Sequence, residues 1–388
     1  MSQYSAVFLD SDAAHLPILF SEAHVWMKGE LAKHEYIVFE DFSSVSSENV
    51  LLLGAVCPEI TAAQYGKLME LHSAVGADVT IFAAKCGTSG IRRDADHAVC
   101  SLFDGSGPAA LPVFCVRAEL LKKFETADVL QSVEELLKTG ASAEVVEIDP
   151  VCVVTDPAAA FQVQKQLCKR INFGHIANGV QIFDPENVYI SPDARIGART
   201  VILPGTIIRE GCTVGADCSI GPNTILEKAA VGDRTSVNSS QIYESTVGAD
   251  ATVGPFAYIR PGCVVGDHTR IGDFVELKKS TIGNGTKVSH LTYIGDAEVG
   301  ERVNFGCGTV VVNYDGYHKN KTIIGDDCFI GCNTNLVSPI EIGDRVFTAA
   351  GSTVTEYVPD GALTIARARQ TNIEGWNDRR REAMSKKK

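Results

Sequence analysis

Five consecutive hexads decide the fold of this chain: IGARTV (196–201), ILPGTI (202–207), IREGCT (208–213), VGADCS (214–219) and IGPNTI (220–225). An aliphatic residue leads each one, Gly often follows, and a small or β-branched residue stands near the fifth place. The pattern resumes as VGADAT, VGPFAY, IRPGCV, VGDHTR and IGDFVE over 247–276. It returns as VGERVN and FGCGTV over 299–310, then as IGDDCF, IGCNTN, LVSPIE and IGDRVF over 324–347. Neither the 3.6-residue period of an amphipathic helix nor the two-residue period of a strand gives this spacing. A β-sandwich would show turn signals every 8–12 residues or so. Hexapeptide repetition predicts a parallel β-helix in which one hexad is a short strand and a corner, and three hexads make a coil. The lead aliphatics then stack inside, and the recurrent Gly is expected at corners with unusual backbone angles.

Outward from the hexads, 388 residues set a prior of two domains. With 21% charged and 45% hydrophobic residues the composition is globular. A formal net charge of −13 argues against a nucleic-acid surface, which needs a basic field. No apolar run is long enough to span a bilayer. The opening MSQYSAVFLDSDAAHLP carries acids and no early Lys or Arg, unlike a secretory signal. A cytoplasmic protein is expected. The twelve cysteines form no CxxC pair. Six of them (Cys212, Cys218, Cys263, Cys307, Cys328, Cys332) fall inside hexads, where other repeats hold Ala, Ser, Thr or Val. They read as small buried hydrophobes in a reducing compartment, with no spacing for a metal.

Residues 1–156 read differently. Apolar β-rich runs (AVFL, EYIVFE, NVLLLGAV, ADVTIFAA, LPVFCV, AEVVEID) alternate with amphipathic stretches such as TAAQYGKLMELHSAVG and DVLQSVEELLKTG. This predicts a Rossmann-like α/β domain with a mainly parallel sheet. Residues 157–187 follow as a helix and junction, the helix capped by Asp156 with Pro157 in its first turn. The β-helix is expected over 188–358, then a C-terminal segment, 359–388, ending in a mobile polar tail. Two interruptions break the hexads, one around 237–246 and one within VVVNYDGYHKNKTIIG. Insertions in a solenoid map to loops on one face, often the binding face. The second loop holds Asn313, Tyr314, Asp315, Gly316, Lys319 and Lys321; a solvated hairpin on a DG turn is the alternative.

From Arg260 to Trp376 the sequence carries RPG, GDFVELKK, HLTYIGDAEVG, NYDG, a Lys-rich loop and ARARQTNIEGW. Together these resemble the acetyltransferase half of the bifunctional N-acetylglucosamine-1-phosphate uridylyltransferase/glucosamine-1-phosphate N-acetyltransferase family. RINFGHIANGVQIFDPENVYISPDA resembles that family's interdomain junction, and residues 49–84 resemble the middle of its nucleotidyltransferase domain. The resemblance implies a left-handed β-helix, a homotrimer and acetyl-CoA as co-substrate. It also implies a place in UDP-N-acetylglucosamine and peptidoglycan synthesis. Periodicity does not give the hand; the general crossover rule favours the right.

The N-terminal domain departs from the family where nucleotidyl transfer would occur. The family's Gly-rich, basic phosphate loop is replaced by DSDAAHLP, with Asp10 and Asp12. Ala55 stands after Gly54 where the family has a metal-binding Asp, and a methyl group cannot ligate Mg²⁺. Thr155 stands where the family supplies an Asn. The domain is also short. Loss of uridylyltransferase activity is therefore expected, with a separate uridylyltransferase in the pathway. Asp10, Asp12 or Asp156 replacing the lost ligands is the competing possibility.

The acetyl-transfer motifs match residue by residue. An aminosugar amine must lose a proton before it attacks a thioester, and a His is suited to take it. His290 in SHLTY matches the family's catalytic His. Arg260, Lys278 and Lys319 match positions that bind the sugar phosphate. Tyr293, Asn304, Asn313 and Tyr314 match positions that orient the sugar and amine. Ala350 and Arg367 match acetyl-CoA positions, as do Cys307 (usually Ala) and Cys332 (usually Ser). Only one of Lys278 and Lys279 can point into the site from a strand. Direct attack needs no enzyme nucleophile and no metal. The competing readings are another amino-sugar phosphate or nucleotide amino sugar as acceptor, and a silent regulatory scaffold.

Overall fold

The structure is a computed structural model and describes residues 5–9, 12–33, 36–39, 45, 47–84, 90–96, 98–105, 108–124 and 129–386. Asp10 of the sequence expectations lies outside them. The chain divides into two units, Met1–Phe173 and Gly174–Lys388.

The first unit is an α/β domain on a six-stranded sheet. In spatial order the strands are Ala143–Ile148, Val79–Ala84, Ala109–Arg117, Asn49–Leu53, Ser5–Phe8 and Ile37–Phe39. All neighbours pair in parallel except Ala109–Arg117, which is antiparallel to both of its partners. Period-two alternation splits each strand between two cores: Leu51 and Leu53 face one, Val50 and Leu52 the other. The helix Ala62–Val75 starts on a capping box between Thr61 and Gln64 and stops at Gly76, whose φ of 67° favours glycine. Asp156 is the expected N-cap, its Oδ1 accepting from the Ala159 amide at 2.8 Å, and the helix runs over Pro157–Ala177.

The second unit is a parallel β-solenoid of three ladders, with 11, 10 and 9 strands, from Gln181–Ile182 to Leu363–Thr364. Consistent with the expected left-handed β-helix, each hexad is one rung and three rungs complete a coil. The lead aliphatics stack in register: Ile202 on Ile220, Ile220 on Val237, Val237 on Val253, Val253 on Ile271 and Ile271 on Val288. All are buried. Burying each such side chain contributes about 1.5–3 kcal/mol, so the files of the three ladders together hold the prism. The fifth-place threonines are also buried and satisfy their hydroxyls on main-chain carbonyls, as Thr200 does on Gly215 at 2.7 Å.

Three expectations need correction. The Gly after the lead aliphatic takes a positive φ at only some corners, as at Gly221 (110°) and Gly254 (100°). Gly215 and Gly232 have ordinary φ, while the positive values fall on Asp217 (58°) and Arg234 (57°). Gly is required because a Cβ on Gly215 would lie 2.6 Å from the Asp233 amide of the next coil. Second, Cys212, Cys218, Cys263 and Cys328 are buried, but Cys307 is half-buried and Cys332 exposed, because both stand at a corner. Third, the polar C-terminus is a helix, Trp376–Ser385, exposed along its length, with Arg380 over the Trp376 ring at 5.0 Å. Its Arg, Glu, Ala and Met residues are good helix formers, which composition as a tail hides. Among the described residues no helix is long and apolar enough to cross a membrane.

Candidate active site

A coil without an insertion takes 16–18 residues, so side chains that far apart in sequence stack on adjacent coils, about 4.8 Å apart. This rule assembles the site. Asp273 and His290 are partners in one ladder, both at the end of their strands, where the chain turns a corner. His290 Nδ1 lies 2.6 Å from Asp273 Oδ1. The bond from His290 is the chief reason the Asp273 carboxyl is held below its ordinary range. An ionised carboxylate only accepts hydrogen bonds, so Nδ1 carries a proton and Nε2 is the ring atom left to act as a base. Both side chains are partly open to solvent.

The same corner continues upward through the residues expected to hold acetyl-CoA. The Cys307 carbonyl accepts from the Asn333 amide at 2.8 Å, and the Cys332 carbonyl accepts from the Gly351 amide at 2.8 Å. Cys307, Cys332 and Ala350 are therefore one column on three successive coils, beyond His290. Arg367 ends it, its stem passing Gly351. Ala350 and Arg367 are exposed.

Two of the phosphate-binding candidates, Arg260 and Lys278, stand at the next corner. Lys278 Nζ lies 2.9 Å from Asp296 Oδ2, and the buried Asn313 donates its amide to the same carboxylate. Arg260 Nη1 lies 2.8 Å from Glu276 Oε1, and this bond raises the guanidinium pKa above its ordinary value. Tyr293 pairs with Glu276 across the ladder. Its hydroxyl and the Asn313 amide crowd the space above Gly295, where a Cβ would meet both. Lys278 ends its strand half-buried, and Lys279 is exposed beyond it at a corner with φ 45°.

The insertion is a short hairpin. Tyr314 bridges to Lys319, whose Nζ lies 3.9 Å from the Tyr314 ring centroid. Asp315 holds the turn, accepting from the amides of Tyr317 at 2.8 Å and His318 at 2.6 Å. The bond from the His318 amide is the chief reason its carboxyl stays below the usual range. Asn304 faces outward one rung from Lys287, on the ladder that carries His290. Thus the structure brings Arg260, Lys278, Tyr293 and Asn313 together around Glu276 and Asp296. It places His290 one corner away on the same chain, with no hydrogen bond joining the two groups among the described residues. The sequence reading missed Asp273, Glu276 and Asp296, although all three lie in the quoted motifs. Their signal is a spacing of one coil from His290, Arg260 and Lys278.

In the first unit, Ala55 and Thr155 flank an isolated bridge between Val56 and Val154, with the Val154 amide bonded to the Val56 carbonyl at 2.8 Å. The two positions that resemblance assigns to a metal are thus neighbours, and they offer a methyl group and a hydroxyl. Asp156, adjacent, is engaged as a helix cap.

The repeats and their corner column define a hexapeptide-repeat transferase fold. The family model "Bacterial transferase hexapeptide (six repeats)" matches residues 193–228, 244–279 and 321–356. The Bifunctional protein GlmU of Clostridium acetobutylicum is 41% identical over 373 residues, which are 88% of this chain and 80% of that protein. The chain belongs to the Bifunctional protein GlmU family. The Clostridium perfringens member is 54% identical over 255 residues, 65% of this chain. That match spans only about half, 56%, of the relative's own length. Among solved structures, an Arabidopsis UDP-N-acetylglucosamine acyltransferase aligns over 52% of this chain and 75% of its own at 17% identity, with a TM-score of 0.30.

Proposed function

We propose that the chain is an acetyl-CoA-dependent N-acetyltransferase acting on glucosamine 1-phosphate, giving N-acetylglucosamine 1-phosphate for UDP-N-acetylglucosamine synthesis. The observation that carries this reading is His290 fixed by Asp273 at one end of a corner column that finishes on Arg367. The column suits an elongated thioester lying along it, acetyl end toward His290. Lys278 and Arg260 bind the acceptor phosphate, assisted by Lys319, and exchange part of their contact with Asp296 and Glu276 for it. Tyr293, Asn304, Asn313 and Tyr314 orient the sugar. His290 Nε2 takes a proton from the acceptor amine as its nitrogen bonds to the thioester carbon. The carbon–sulfur bond breaks, and the proton passes to the departing CoA sulfur. Asp273 stabilises the imidazolium formed in between. A homotrimer completes the site, bringing the base corner and the phosphate corner of neighbouring chains together.

Uridylyl transfer is lost in this reading, supported by Ala55, Thr155 and the engagement of Asp156 as a cap. A separate uridylyltransferase then serves the pathway. Thiol release from acetyl-CoA with glucosamine 1-phosphate tests the first activity. His290→Ala is expected to lower turnover by about 10²–10⁴-fold while acetyl-CoA binding persists; near-normal turnover overturns the assignment. Pyrophosphate release from UTP, Mg²⁺ and N-acetylglucosamine 1-phosphate tests the second and is expected to stay at background.

A further inference from the structure

The segment that stands in place of a phosphate loop carries a cluster of its own. It follows the strand Ser5–Phe8, which lies between Asn49–Leu53 and Ile37–Phe39. The sheet continues to opposite sides from there, so the segment borders the crevice at the carboxyl ends of the strands. Open α/β sheets bind ligands in that place. His15 closes the short helix Asp12–His15, Glu22 ends a small hairpin, and His24 opens the helix Ala23–Ala32. Both imidazoles converge on one carboxylate oxygen: His15 Nδ1 lies 2.8 Å and His24 Nδ1 3.3 Å from Glu22 Oε2. A donor atom from each of the three residues falls within a 4.8 Å span.

We infer that His15, Glu22 and His24 form a zinc site. Zinc at 2.0–2.2 Å from tetrahedral nitrogen and oxygen ligands separates those ligands by about 3.3 Å. The two distances to Glu22 Oε2 lie close to that edge. Two imidazoles and one carboxylate are a donor set that zinc takes with a fourth position open to water. The surroundings hold the three in place. Ala14, Ile18, Ala23 and Met27 are fully buried beneath them. The Trp26 indole donates to the Ile18 carbonyl at 3.0 Å and the Ala23 amide to the Leu16 carbonyl at 3.0 Å. His24 Nδ1 also lies 3.1 Å from the Ala14 carbonyl. A proton there serves two acceptors in the metal-free protein, and zinc takes its place on binding. His15 and Glu22 are half exposed, which leaves a path for the ion.

The test uses the full chain, stripped with a chelator and titrated with Zn²⁺ by calorimetry. Co²⁺ substitution serves as an optical check on tetrahedral geometry. One zinc per chain is expected. His15→Ala, Glu22→Gln and His24→Ala should each weaken binding more than tenfold, since loss of even an outer-shell partner costs about 10–100-fold. His268→Ala, an exposed histidine beside Asp250 in the other unit, should bind as the parent does. His15 is exposed, so its variant tests the site without disturbing the packing. Zinc should raise the unfolding temperature of the parent and not of the three variants. Failure of the parent to take up zinc overturns the inference, as does parental affinity in His15→Ala.

Discussion

Replacing Asp273 separates two things the carboxylate does for His290. Asp273→Asn keeps an oxygen that accepts from Nδ1, so the ring stays oriented and only the charge is lost. Asp273→Ala removes both. The hydrogen bond is short, at 2.6 Å, but the side chains are 54% and 37% exposed, so water screens the charge. Screened in this way, the charge contributes little beside the orientation of the ring. Asp273→Asn should therefore lower kcat only a few-fold. Asp273 itself sets the pH range of this support. Its carboxyl is held low, so its support of the imidazolium is complete above the ordinary carboxylate range and fades only as pH falls through the lowered value. Asp273→Ala frees the ring, and kcat should fall by about 10–100-fold, within the general-base contribution. Stopped assays of thiol release across pH, at saturating acetyl-CoA, measure both variants. Parental kcat in Asp273→Ala, or a loss in Asp273→Asn as large as that in Asp273→Ala, would refute the reasoning.

Lys278→Met keeps the stem and removes the charge that faces Asp296. Loss of one charge-assisted bond to a phosphate, about 1.5–3 kcal/mol, should raise KM for the phosphorylated acceptor by roughly 10–100-fold and leave glucosamine itself little changed. Arg367→Ala should raise KM for acetyl-CoA with kcat less affected, read from initial rates at fixed acceptor; an unchanged KM removes Arg367 from the cofactor column. Ile294→Ala empties a fully buried rung position stacked on Leu277 and should cost about 2–5 kcal/mol, measured by denaturant unfolding of the solenoid.

The hexads wrote the solenoid into the sequence because each interior seat repeats locally. A lead aliphatic such as Ile220 needs no distant information to be recognised, only its place six residues from the next. The first domain was legible for a similar reason: alternation in strands such as NVLLL and the Thr61–Gln64 box are short-range signals. His290, Lys278 and the NYDG loop were legible as motifs, through resemblance.

Tertiary structure decided which groups meet. Arg260 finds Glu276 after 16 residues, Lys278 finds Asp296 after 18, and Arg302 finds Asp327 after 25 because the hairpin insertion intervenes. No fixed offset names these partners; they follow once the coils are stacked and every rung has its neighbour. The same stacking decided why Gly215 must be glycine, since the forbidden Cβ meets the next coil and not its own. It set Cys328 inside the prism and Cys332 outside, only four positions apart, because one stands on a rung and the other on a corner. Local periodicity fixes what faces inward, whereas the pairing of charged groups on the surface depends on contacts a full coil away.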